Sequence, residues 1–177
     1  MVEVPRGIDI KYTIGFCVVP AENKVLMLYR NNRPNKDKWN GLGGKINFDA
    51  KETPQECVIR EISEETDKLI DLSLAPDLRY TGIVTWDVTT GEEKHNGGMH
   101  AYVANFNDRT VIFNKKETRE GVLDWLDLTE VTSKDNSSVV ENIPHFLPEM
   151  LKGHGKARYH CVYEDGNLVD FAVSPLK

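Results

Sequence analysis

The stretch from Gly43 to Asp67, GGKINFDAKETPQECVIREISEETD, constrains this chain more than any other. A glycine pair opens a polar loop that reaches Glu52. A helix start follows: Thr53 can cap, Pro54 suits the first turn, and Glu56 completes a T-x-x-E capping box. Val58 and Ile62, four apart, supply an apolar stripe, and the helix should stop near Thr66-Asp67. Glu61 and Glu65 are i,i+4 neighbours and Glu61 and Glu64 are i,i+3, so all three approach one edge of the helix. Like charges this close repel, by about a few tenths of a kcal/mol per pair. Such a run either faces water, the commoner outcome for a bare glutamate cluster, or is neutralised by cations. Arg60 precedes Glu64 by one turn and can pair with it. The loop Trp39-Asn40-Gly41-Leu42-Gly43-Gly44-Lys45 favours the second outcome. Its glycines let carbonyls turn towards a cation and N–H groups towards phosphate. Mg²⁺ prefers carboxylate and carbonyl oxygens and shares its shell with water and substrate phosphates. The segment points to phosphate chemistry.

The 177 residues suit one compact domain spanning 1–177. A formal charge of −6 argues against a surface that coats a nucleic-acid duplex. It leaves room for a small anionic substrate, because bound cations invert the local field. Cys17, Cys57 and Cys161 are odd in number and far apart, which fits neither a disulfide framework nor a zinc knuckle. The first ten residues lack a signal pattern, and no apolar run is long enough to span a bilayer. A cytoplasmic protein without membrane contact is the plain reading. Nothing in the sequence decides between a monomer and a homodimer.

Lys11–Val19 and Lys24–Tyr29 read as strands joined through Pro20–Asn23, a hairpin signal. Asn31–Gly44 is polar, with Pro34 and three glycines, and reads as a loop. Leu78–Val88 and Met99–Phe106 read as strands joined by a polar turn over Thr89–Gly98, and Val122–Leu128 as a further strand. Asn142–Leu151 reads as a helix containing Pro144 and Pro148, and Ala157–Tyr163 and Leu168–Val173 as a hairpin around Glu-Asp-Gly-Asn. The fold class is α+β or α/β, a mixed sheet sandwiched by helices.

The segment resembles the Nudix box, G-x5-E-x7-R-E-U-x-E-E-x-G-U with U aliphatic. Glu52, seven intervening residues, Arg60-Glu61, Ile62, Ser63 and Glu64-Glu65 match in spacing. Three departures stand out: Gly44 and Glu52 are separated by seven residues rather than five, Asp67 replaces the last glycine, and Lys68 replaces the last aliphatic residue. Asp tolerates the left-handed conformation that glycine usually takes at a helix end. WNGLGGK, the preceding VLMLYR and the closing HGKARYHCVYEDGNLVDFAV look like the MutT-like branch that hydrolyses oxidised purine nucleoside triphosphates. The resemblance covers about Tyr12 to Val173, densest over 39–67.

That resemblance implies an α/β/α sandwich and Mg²⁺, or Mn²⁺, held by Glu61, Glu64, Glu65, the Gly43 carbonyl and a distant glutamate. Glu120, five residues before Trp125, fits the family spacing for that glutamate, with Glu117 as the alternative. It implies cleavage of a nucleoside triphosphate to a monophosphate and pyrophosphate, with Arg60 among the catalytic residues. One of Glu64, Glu65 or Glu120 would accept the proton of water. Lys45, Arg30, Gly44 and Glu52 would serve substrate binding, and Asn40 aligns with an asparagine that reads a purine edge, with a loop-turn role as its alternative. Asp135-Asn136 or Glu141-Asn142 stand where acidic residues read the base in the related branch, and Ser137–Val140 stands where that branch has an aromatic. Trp39 reads as an anchor of the loop. His95, His100, His145, His154 and His160 show no ligand spacing and read as structural or exposed. ADP-ribose, a dinucleoside polyphosphate, a sugar nucleotide or capped RNA are alternative substrates, and a non-catalytic nucleotide sensor is the alternative of a different class.

Overall fold

A computed structural model describes residues 7–72, 77–107, 109–153 and 155–176, without the side chain of Thr110. His154 and the first six residues, both read above, lie outside the described residues.

The elements are β1 (Ile10–Val19), β2 (Lys24–Arg30), β3 (Trp39–Asn40), α1 (Pro54–Glu65), β4 (Leu78–Thr90), β5 (Glu93–Asn105), β6 (Lys116–Glu117), β7 (Gly121–Asp127), α2 (Leu128–Val131), α3 (Ile143–Leu151), β8 (Ala157–Glu164) and β9 (Asn167–Pro175). The nine strands form one sheet in the order β6-β7-β2-β1-β5-β4-β8-β9, with β3 beside β2. β1 runs parallel to β5 and β4 parallel to β8, while the remaining strand pairs are antiparallel. The sheet is mixed, as expected.

Strand alternation sorts the core to two faces. Ile14, Phe16, Val18, Val25 and Met27 pack with Ile143, Phe146, Leu147 and Met150 of α3. Cys17, Val19, Leu26 and Leu28 pack with Val58 and Ile62 of α1. Val58 and Ile62 are almost wholly buried, each gaining about 1.5–3 kcal/mol from burial. A Cβ on Gly15 would stand 2.7 Å from Ile62 and 2.9 Å from Val58. Its absence lets α1 lie close on β1.

The ends of α1 follow its sequence. Thr53 and Glu56 form the reciprocal capping box, and Pro54 occupies the first turn. At the other end the N–H of Lys68 donates to the Ser63 carbonyl over 2.7 Å and that of Asp67 to Glu64 over 3.2 Å. This is a Schellman ending with Asp67 at φ 49° where glycine is usual.

One expected turn is corrected. Thr89–Gly98 is not a loop: β4 and β5 run on, and only Gly91-Glu92 turn, with Thr90 opposite Glu93. Ladder pairing along two 13-residue strands carries polar residues into the sheet. The hairpin about Asp165-Gly166 forms as read, both residues having positive φ. The four-residue helix α2, capped by Asp127, has no counterpart in the sequence reading.

Candidate active site

β1 and β2 pair only at Val18–Val25 and Val19–Lys24 before they diverge. The glycine loop enters the space between them. The N–H groups of Gly15 and Thr13 donate to the carbonyls of Leu42 (2.6 Å) and Gly44 (2.8 Å), and the Leu42 N–H returns to Gly15 (3.1 Å). The loop meets β1 through two isolated bridges, Leu42 with Gly15 and Lys45 with Tyr12. Between those engaged carbonyls, no donor among the described residues reaches the carbonyl of Gly43. Gly43 has φ +143°, and a Cβ there would lie 2.3 Å from the Thr13 carbonyl oxygen. A Cβ on Gly44 would lie 2.3 Å from the Glu61 carboxyl carbon. Gly43 thus lets the loop lie against β1, and Gly44 leaves room for the Glu61 carboxylate.

That edge forms the floor of a cleft of about 650 Å³, lined by Arg30, Gly43, Gly44, Lys45, Glu61, Ser63, Glu64, Glu65, Asp67, Lys68, Thr118, Arg119 and Glu120. Glu65 is buried and accepts the Gly43 N–H over 2.8 Å. Burial raises its pKa to about 8, with the neighbouring Glu61 and Glu120 adding to the rise. Burial likewise raises Glu61, opposed by its bond to Arg60. Glu64 is exposed at the rim. Glu120 lies in the turn between β6 and β7 and lines the cleft; Glu117, the alternative, does not.

Arg60 binds Glu52 over 2.7 Å, Glu61 over 2.8 Å and Glu64 over 3.3 Å. Glu52 also accepts the Asn47 N–H over 2.8 Å. These bonds hold Glu52 well below the usual carboxylate range, at about 2, chiefly through Arg60. Neither Glu52 nor Arg60 lines the cleft. The structure pairs Glu52, expected at the substrate, with Arg60, expected among the catalytic residues. Their charges are spent on each other and on the helix carboxylates, so they support the floor from behind. The longer loop does not pull Glu52 away from the helix.

The donor set suits a hard divalent cation: three helix carboxylates, Glu120 and a free carbonyl, all oxygen. The buried carboxylate of Glu65, with its raised pKa, would be relieved by a cation. Among the described residues no three acidic, histidine or cysteine groups gather about one point. A metal would draw Glu61 and Glu64 from Arg60, and Glu65 from the Gly43 N–H.

A second cavity of about 790 Å³ shares Arg30, Gly43, Gly44 and Lys45 with the cleft. Its further lining includes Asn40, Trp86, Met99, Val140, Asn142 and Tyr163. Asn40 turns its amide oxygen to the Gly41 N–H, 3.0 Å away, which is the turn role. Glu141 and Asn142 reach this cavity; Asp135 and Asn136 do not. Trp39 packs edge-on against Tyr29 at 5.2 Å and lines neither space, so it anchors. Trp86, Met99 and Tyr163 were missed by sequence reading. They sit inside strands without a motif, and the one local signal is Gly97 opposite Trp86, where a Cβ would lie 2.7 Å from the indole ring.

The NUDIX domain model matches residues 11–149, and the chain belongs to the Nudix family, with a MutT-like fold. A mutator MutT protein from Bacillus halodurans superposes with a TM-score of 0.68 at 20% identity, covering 93% of this chain and 97% of that one. The NUDIX domain of Shewanella oneidensis NrtR, complexed with ADP ribose, gives 0.60 at 16% identity over 85% and 92%. The E. coli dihydroneopterin triphosphate pyrophosphohydrolase gives 0.53 at 19% over 79% and 99%. These likenesses concern the fold. No helix among the described residues is long and apolar enough to cross a membrane.

Proposed function

We propose that this chain is a Mg²⁺-dependent pyrophosphohydrolase that cleaves a nucleoside triphosphate to a monophosphate and pyrophosphate. The observation that carries the reading is the shared lip. A polar carboxylate cleft opens through Arg30, Gly43, Gly44 and Lys45 into a largely apolar cavity walled by Trp86, Met99 and Tyr163. That pairing matches a molecule with a charged tail and a flat heterocycle.

Glu61, Glu64, Glu65, Glu120 and the Gly43 carbonyl would hold the metal, which when bound neutralises phosphate charge and activates water. Lys45 and Arg30, at the lip, orient the phosphates between the two spaces. Arg60 and Glu52 keep the helix carboxylates in place from behind. In the reaction the hydroxyl of one water joins one phosphorus, the bridging oxygen leaves with the other, and a proton is released. One of Glu64, Glu65 or Glu120 receives that proton. Trp86 and Tyr163 supply aromatic walls for the base, and Glu141 and Asn142 supply polar groups at its edge. The soluble compartment and nucleotide sanitation remain the reading's natural setting.

A substrate panel with Mg²⁺ tests the reading: oxidised and ordinary nucleoside triphosphates beside ADP-ribose, following pyrophosphate. Pyrophosphate release from a triphosphate is the expected result. AMP and ribose 5-phosphate from ADP-ribose, with no triphosphate turnover, would overturn it. Binding of nucleotides without any turnover would instead favour a sensor.

A further inference from the structure

Arg30 and Lys45 line both the cleft and the second cavity, whereas Lys68 and Arg119 line the cleft alone. Both are exposed, and neither makes an ion pair among the described residues. Two neighbouring cations are engaged, Arg60 by three glutamates and Lys116 by Asp67. Lys68 stands where the family pattern has an aliphatic residue.

The backbone fixes where these two cations sit. Lys68 follows the Schellman ending of α1, its N–H bound to Ser63. Arg119 lies in a tight turn closed by the Thr118 N–H and hydroxyl on the Gly121 carbonyl, 2.7 and 3.1 Å away. Gly121 has φ +151°, and a Cβ there would lie 1.9 Å from the Tyr29 carbonyl oxygen, so the turn cannot shift freely. The ion pair of Asp67 with Lys116, 3.1 Å, ties the end of α1 to β6, the strand before that turn.

We propose that Lys68 and Arg119 bind the phosphate farthest from the nucleoside, so that the chain selects a triphosphate tail over a diphosphate. The inference rests on the proposed function. If the heterocycle occupies the second cavity, the tail runs through the shared lip into the carboxylate cleft, which Lys68 and Arg119 also line. An anionic tail there meets Glu61, Glu64, Glu65 and Glu120, and needs cations of its own.

Lys68→Met, Arg119→Met, the double variant and Lys68→Arg test the assignment. Calorimetric titration with inorganic pyrophosphate, in EDTA, should show binding to the wild type that weakens about tenfold or more in the double variant and returns in Lys68→Arg. For turnover, kcat/KM on a nucleoside triphosphate should fall about tenfold, mainly through KM, and that on the matching diphosphate by less than about twofold. Equal losses on both nucleotides, or unchanged pyrophosphate binding, would overturn the proposal. If no nucleotide is hydrolysed, the functional reading fails while the pyrophosphate titration still judges the clamp.

Discussion

The N–H of Gly43 donates to the carboxylate of Glu65 over 2.8 Å, joining the glycine loop to the floor of the cleft. Glutamine can accept the same bond without a charge to bury. Glu65→Gln therefore retains the fold and, with metal removed, melts at least as high as the wild type. Mg²⁺ should raise the melting temperature of the wild type and leave that of Glu65→Gln unmoved. The Glu64→Gln, Glu65→Gln double variant should lose turnover while its circular dichroism stays native. Full activity in that variant would refute the metal-site assignment.

Gly43 and Gly44 are adjacent but differ in what a methyl would strike. At Gly43 it meets backbone, the Thr13 carbonyl, in a positive-φ conformation. Gly43→Ala should cost about 2 kcal/mol or more, read by denaturant melts. At Gly44 it meets the movable end of Glu61. Gly44→Ala should cost under about 1.5 kcal/mol of stability but lower kcat/KM by about tenfold or more, because it displaces a carboxylate proposed to hold the metal.

Arg60 serves Glu52, Glu61 and Glu64 together. Its side chain is 35% exposed, which moderates the cost of losing it. Arg60→Met should destabilise the metal-free protein by about 1–3 kcal/mol. A double-mutant cycle with Glu52→Gln should give coupling of about 1 kcal/mol. Additive effects would show that the pair carries no stability.

The lowered pKa of Glu52, about 2 against an ordinary 4.5, sets a pH window. Between these values the unfolded chain binds more protons than the folded one, so stability falls as the solution is acidified. The advantage of wild type over Glu52→Gln should be complete above about pH 4.5 and disappear towards pH 2. Parallel acid-unfolding curves for the two proteins would contradict this.

Much of this molecule can be read locally. Thr53, Pro54 and Glu56 announce the start of α1, and Asp67 ends it, because caps depend on neighbours within one turn. The Glu61, Glu64 and Glu65 edge follows from helix periodicity. What is not legible depends on distant partners. Glu120 rather than Glu117 enters the cleft because of the turn between β6 and β7. Trp86, Met99 and Tyr163 meet in one cavity because β5, β4 and β8 are neighbours in the sheet, though far apart in sequence. The polar run Lys94–Gly97 continues as strand because its long partner β4 completes the ladder.

The parallel pairing of β1 with β5 bears on when the cleft comes into being during synthesis. The capping box and Schellman ending favour α1 locally, but a helix of 12 residues is marginal in isolation. Its apolar face then waits, because the central strand stays unpaired on one side until β5 has been made. Glu120 arrives later still. The helix carboxylates are thus translated with Arg60 and Glu52 already beside them, but long before Glu120 and β5 complete the cleft around them.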